Sequence, residues 1–222
     1  RYLFTHLLAI SRLKQPDCAN TSGLVMSVHI QTYSGTEARQ YLYELARLRI
    51  EVFREYPYLY EGDLAYESAY LGTFFNAPNS LLVVVFDEGK VVGVSTALPL
   101  QYESDNIKQP FLDRGYQIDR IFYYGESVLF KPYRNRGFGK RFFHHREAHA
   151  RSWGAEMACF CAVIRPDDHP MRPPDYVPLD KFWKKQGFQK RVDMVCYIPW
   201  QEMGETEESP KPMVFWTKDL TQ

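Results

Sequence analysis

A neutral chain of 222 residues, 45% hydrophobic and 24% charged, is long and apolar enough to bury a core. Zero net charge gives no broad attraction to nucleic acid or to an acidic membrane surface, so neither is expected as a partner. Cys18, Cys159, Cys161 and Cys196 are too sparse for a disulfide scaffold and form no persuasive zinc set, and no apolar run approaches the roughly 20 residues that cross a bilayer. The expectation is a protein without a metal, in a reducing, cytoplasmic compartment.

In chain order, residues 1–23 read as an amino-terminal extension, and Tyr2 to Ile10 as packed structure, because no cleavage pattern follows. Leu24 to Ile30 is a predicted strand. Ser34 and Glu37 have capping-box spacing, and Leu42, Leu45, Ala46 and Phe53 continue a helical stripe that Pro57 stops. Asp63 is placed to cap a second helix reaching Phe75, with Leu64, Leu71 and Phe75 inward. Leu81 to Phe86 and Val91 to Leu98 are β-rich and separated by Asp87-Glu88-Gly89-Lys90, a hairpin signal.

After an irregular stretch, Ile121 to Phe130 predicts a strand, Phe138 to Trp153 a helix and Glu156 to Val163 another strand. Arg165 to Pro178, rich in Pro and Asp, is a connection. A helix follows from about Pro178 to Gly187, burying Leu179, Phe182 and Trp183; Gln189 to Ile198 and Met213 to Lys218 close the chain as a strand pair. Neither a repeat nor a second unit is evident, so residues 1–222 are expected to form one α/β domain. Its sheet is mixed and mostly antiparallel, with about four main helices.

The run Tyr133-Arg134-Asn135-Arg136-Gly137-Phe138-Gly139-Lys140 stands where a strand gives way to a helix. The first amides of a helix lack partners inside it, and their dipoles favour an anion. Gly137 and Gly139 allow close approach of the main chain, and Arg134, Arg136 and Lys140 add positive charge. The run therefore predicts a diphosphate nest. It is no P-loop, since Arg141 follows Lys140, and no dinucleotide fingerprint, since Phe142 occupies the third glycine position.

Arg134-x-x-Gly137-x-Gly139 resembles the Arg/Gln-x-x-Gly-x-Gly/Ala signature of the GNAT superfamily, the GCN5-related N-acetyltransferases, and Phe182 to Phe188 resembles that family's Phe-Tyr-x-x-x-Gly-Phe segment. The resemblance covers roughly residues 24–220 and is specific at these two motifs. It implies a six- to seven-stranded sheet whose central strands splay apart to admit pantetheine. Acetyl-CoA would be held by the backbone of Val128, Leu129 and Phe130 and by Arg134, Asn135, Arg136, Gly137, Phe138, Gly139 and Lys140.

The reaction it implies is direct transfer of an acetyl group to a primary amine, for which a small-molecule acceptor ranks first. The resemblance makes Glu126 the leading candidate for the general base, and it could also bind a cationic acceptor without removing its proton. Trp183 falls where the family often places a tyrosine that protonates the departing thiolate, so Tyr176 is nominated as a substitute acid. Asp167, Asp168, Asp175, Tyr33, Tyr41, Tyr66 and Tyr70 are candidate acceptor contacts. An acyl-CoA-binding or sensing module without turnover, and an O-acyltransferase, are the alternatives; assembly as a homodimer is left open.

Overall fold

The computed structural model describes residues 28–221. The expected extension, and residues 24–27 of the expected first strand, lie outside them. The described chain builds one seven-stranded sheet in the order β1-β2-β3-β4-β5-β7-β6. Every neighbouring pair is antiparallel except β4 and β5, which run parallel.

β1 spans His29–Ser34, later than the strand expected from hydrophobicity. Ser34 makes no side-chain cap: Gly35, at φ +56°, turns the chain at once, Gly35–Tyr41 winds as a 3-10 helix, and α1 begins only at Leu42 (Leu42–Phe53). Asp63 does cap α2 (Leu64–Asn76), its Oδ1 accepting from the amides of Ala65 at 2.8 Å and Tyr66 at 3.0 Å. Leu71 and Phe75 face inward as the period requires, whereas Leu64, in the first turn, is 43% exposed.

β2 (Leu81–Asp87) and β3 (Lys90–Pro99) are buried almost throughout, because helices cover both faces of the sheet there. Their turn places Glu88 and Gly89 at positive φ, the geometry that matches the twist of a two-residue hairpin. The stretch expected to be irregular contains α3 (Asp105–Leu112), whose short length and internal Pro110 hide its periodicity. β4 (Ile121–Leu129), α4 (Phe138–Trp153) and β5 (Met157–Val163) follow as the pattern predicts. α5 (Asp180–Lys185) starts later than expected and leaves Leu179 53% exposed; β6 (Gln189–Trp200) and β7 (Ser209–Asp219) complete the sheet.

Side chains alternate across the strands and fill two layers. On one face Ile121, Tyr123, Val128, Cys159 and Phe215 join the core beneath α1, α2 and α3. On the other, Phe122, Tyr124, Phe160 and Trp216 pack with Phe143 of α4 and with Phe182 and Trp183 of α5.

Candidate active site

Two irregularities in β4 create the site. The first is a bulge opposite Thr96, where the β3 register shifts by one residue. The amide of Glu126 donates to Thr96 Oγ1 at 3.2 Å and the carbonyl of Glu126 accepts from Ser95 Oγ at 3.0 Å, so two side chains stand in for the ladder. Gly125 is required there, since a Cβ would lie 2.4 Å from Thr96 Oγ1. The second is a parting of strands. β4 pairs with β5 only through Ile121↔Met157, Phe122↔Ala158 and Tyr123↔Cys159, while β5 continues alongside β7 to Val163. From Tyr124 onward a gap separates β4 from β5.

The anion loop stands at the open end of β4. Asn135 and Gly137 lie at φ +60° and +84°, and α4 starts without a side-chain cap or an acidic residue in its first turn. The first helical return is the Arg141 amide to the Gly137 carbonyl at 3.2 Å. Among the described residues, the amides of residues 135–140 have no main-chain acceptor. A Cβ on Gly137 would meet nothing within 4 Å, so the loop is open on that side of Gly137. Converging unpaired N–H groups at a helix start suit a phosphate group.

The loop is braced from both sides. Tyr133 donates its hydroxyl proton to Asp87 Oδ2 at 2.6 Å, tying the loop to the β2–β3 hairpin. Arg134, expected to turn its charge toward the ligand, instead donates through Nε to the Leu129 carbonyl at 2.9 Å and through both terminal nitrogens to Glu55 at 2.8 and 2.9 Å. Burial works to raise the Glu55 pKa, but hydrogen bonding to Arg134 and the charges of Arg134 and Lys131 bring it below the usual range. Arg136 lies over the Tyr133 and Phe138 rings, and Lys140 is exposed. Val128 and Leu129 pair with Val94 and Gly93, and the Phe130 amide donates to the Val92 carbonyl at 3.1 Å. The Phe130 amide thus serves β3 and the Leu129 carbonyl serves Arg134, on the edge of β4 that faces the gap. A groove of about 510 Å³ lined by Arg47, Glu55, Val92, Phe130 and Tyr133 lies between α1 and the start of the anion loop.

Across the sheet, on the α1 and α2 side, the gap is lined by ionic and phenolic groups. Arg49 donates to Glu126 at 2.7 Å and to Glu67 at 2.5 Å, and Glu67 is wholly buried. Burial alone would lower the Arg49 pKa; Glu126 and Glu67 reverse this and hold it well above its ordinary value. Glu103, just past β3, has no ion-pair partner among the described residues and accepts only from the Ser104 amide at 3.1 Å. Burial first, and then the Glu126 charge, push its carboxyl up to about 7, against the opposing pull of Ser104, Arg49 and Lys108. The hydroxyls of Tyr58 and Tyr70 are pushed upward chiefly by burial. The Tyr70 ring is 45% exposed and lies under the Arg49 guanidinium at 4.8 Å. Tyr123 Oη lies 3.1 Å from Cys161 Sγ in the floor.

The nominated acid, Tyr176, packs edge-on against Tyr56 at 4.7 Å with Arg172 over its ring, so the ring anchors the loop that follows β5. Arg165 fastens the same loop by donating to the Pro57 and Tyr58 carbonyls and to Glu202. Trp183 is taken up by packing against Phe160 and Trp216. Tyr66 and Tyr70 stack on α2, while Tyr33 and Tyr41 pair with each other next to Phe86. Asp167 is bound to Arg172. Sequence reasoning missed Arg49, Glu55, Glu67 and Glu103, since each gains its meaning only from a partner distant in the chain.

Fold and site together define a class: an α/β protein with a sheet parted beside a glycine-bearing anion loop. The chain matches the family model for the Acetyltransferase (GNAT) family over residues 42–188, and it belongs to that family. Solved structures share the fold at low identity. A putative acetyltransferase, yncA, from Salmonella typhimurium, determined with its cofactor acetyl-CoA, is 9% identical with a TM-score of 0.55, covering 88% of this chain and 95% of that one. An N-acetyltransferase from Staphylococcus aureus Mu50 is 11% identical with a TM-score of 0.57, over 88% and 99%. Aminoglycoside 6'-acetyltransferase type Ii is 16% identical with a TM-score of 0.53, over 87% and 98%. No curated relative matches the chain by sequence. No helix among the described residues is long and apolar enough to cross a membrane.

Proposed function

We propose that the protein is an N-acetyltransferase that moves an acetyl group from acetyl-CoA to a primary amine of a small molecule. The observation that carries this reading is the set of unpaired amides at residues 135–140, set at the mouth of the β4–β5 gap. The residues fit the group: amides and Arg136 and Lys140 for the diphosphate, and the gap beside Val128, Leu129 and Phe130 for the pantetheine arm. Acetyl-CoA supplies an activated acetyl group, so that a C–N bond forms at the amine as the C–S bond breaks and its electron pair leaves with sulfur.

An aliphatic amine is mostly protonated at neutral pH, so the protein must hold an ammonium and then accept a proton. Glu126, fixed by Arg49, is suited to holding and orienting that cation. Glu103, free of an ion pair and balanced near neutrality, is suited to accepting its proton before attack. The second amine proton passes to solvent after the new bond forms, and solvent returns one to the thiolate, so protons and charge balance. Tyr70, whose ring lies under the Arg49 that holds Glu126, would border the acceptor. Free thiols at Cys159, Cys161 and Cys196 accord with a reducing, cytoplasmic compartment, and the continuous sheet with a single domain.

Calorimetric titration with acetyl-CoA, followed by detection of free thiol over a panel of amines, tests the reading. Saturable cofactor binding with amine-dependent thiol release is expected. Absence of cofactor binding would overturn it. Binding without release over the panel would favour the acyl-CoA-binding module, a reading supported by the absorption of Trp183 and Tyr176 into packing.

A further inference from the structure

Arg146, in the third turn of α4, is 2% exposed, yet no hydrogen bond or ion pair engages its guanidinium among the described residues. Its Nε is buried without a partner. The group rests between two aromatic rings, with Cζ 4.5 Å from the Tyr124 centroid and 4.6 Å from that of Phe143. Nearby acid is already committed: Glu147 accepts from Lys218 at 2.6 Å and from Arg151. Burial pulls the Arg146 pKa down to about 10, with the Tyr124 and Glu126 charges opposing, so it remains a cation at neutral pH. A buried charge without a counter-ion costs stability, and a neutral side chain of similar length would fill the same space.

Its place supplies the reason. Tyr124 is the first β4 residue beyond the last β4–β5 pair, and its ring lies on the α4 face. Arg146 therefore sits where the strands part, on the side of the sheet opposite the Arg49, Glu67 and Glu126 cluster. It is two turns along α4 from the amides of the anion loop, a rise of roughly 10 Å. Resting on the proposed cofactor reading, we infer that Arg146 is the counter-cation for the coenzyme A sulfur. As the C–S bond breaks and its electron pair stays on sulfur, Arg146 offsets the negative charge, and the thiolate later takes a proton from solvent. Charge compensation takes the place of proton donation, since Trp183 is taken up by packing and Tyr176 is held against Tyr56.

Affinities for CoA and desulfo-CoA, which differ at the sulfur, are measured by calorimetry from pH 6 to pH 9, alongside thermal melting. In the wild type the preference for CoA over desulfo-CoA should rise at least tenfold across this range as the thiolate forms. Arg146→Met should abolish the rise without lowering the melting temperature, and Arg146→Lys should restore part of it. A flat ratio in the wild type, or an undiminished rise in Arg146→Met, would overturn the inference while leaving the cofactor reading intact. A melting temperature that falls in Arg146→Met while both ligands weaken equally would make Arg146 a packing residue and also overturn it. Failure of the wild type to bind either ligand would overturn both readings.

Discussion

Two glycines separated by a single residue face opposite demands. Gly137 is held at φ +84° with open space before its Cα, whereas a Cβ on Gly139 would touch Phe182 at an ordinary 3.5 Å. Gly137→Ala is expected to cost about 1 kcal/mol of stability from the left-handed backbone and to weaken CoA binding at least tenfold, because the methyl group enters the anion site. Gly139→Ala should leave stability unchanged or slightly raised, since alanine favours helix by about 1 kcal/mol. Calorimetry and denaturant melts on both variants check the contrast. Glu103 gives a pH signature. Its carboxyl rises from 4.5 to about 7 on folding, so the folded protein binds more protons between those values and stability falls as pH rises through that window. Glu103→Gln should remove this loss, on the order of 1 to 3 kcal/mol between pH 5 and pH 8. It should also flatten the rising limb of kcat/KM near pH 7. A variant with the wild-type slope in both measurements would remove Glu103 from the proton path.

At the scale of elements, β4 joins the Arg49–Glu126 ion pair to the anion loop. Its identity as a strand was legible from Ile121 to Leu129, but its bulge was not, because Gly125 looks like any weak strand residue until Thr96 is seen to occupy the space of its side chain. Gly125→Ala should cost about 1 to 3 kcal/mol by overpacking and displace Glu126, lowering turnover more than cofactor affinity. The Glu55–Arg134 clamp links the end of α1 to the anion loop. Arg134 was legible as part of the motif from its spacing to Gly137, yet the direction of its guanidinium depends on a carboxylate 79 positions away. The pair is about one third exposed, so Glu55→Gln should change stability by no more than about 1 kcal/mol. Loss of the brace should still lower CoA affinity several-fold, and titration beside a melt separates the two effects.

The whole molecule is a sheet with a core on each face, and β7 serves both. Phe215 and Trp216 are fully buried neighbours that point to opposite layers. Either residue changed to Ala is expected to cost about 3 to 5 kcal/mol. If the chain is one domain, each variant should still unfold in a single transition, coincident by fluorescence and circular dichroism. Two separated transitions would count against that proposal. The ionic cluster of Arg49, Glu67 and Glu126 also belongs to this scale, since it unites α1, α2 and β4. Removing the cation from a buried carboxylate should be severe: Arg49→Met is expected to cost about 3 to 5 kcal/mol, and much less when combined with Glu67→Gln.

By itself the sequence determined what depends on neighbours in the chain. The Asp63 cap, the turn at Glu88-Gly89, the start of α4 after Gly137 and the order of strands and helices apart from α3 all arise from contacts within a few residues, where residue type and backbone preference coincide. Tertiary structure alone decided that β4 leaves β5 after Tyr123, that Arg49 holds Glu126, and that Arg146 is buried beside the gap without an anion. Those outcomes depend on desolvation and on charges brought together from distant positions. Both are set by the packing of helices on the sheet, and no local pattern encodes them.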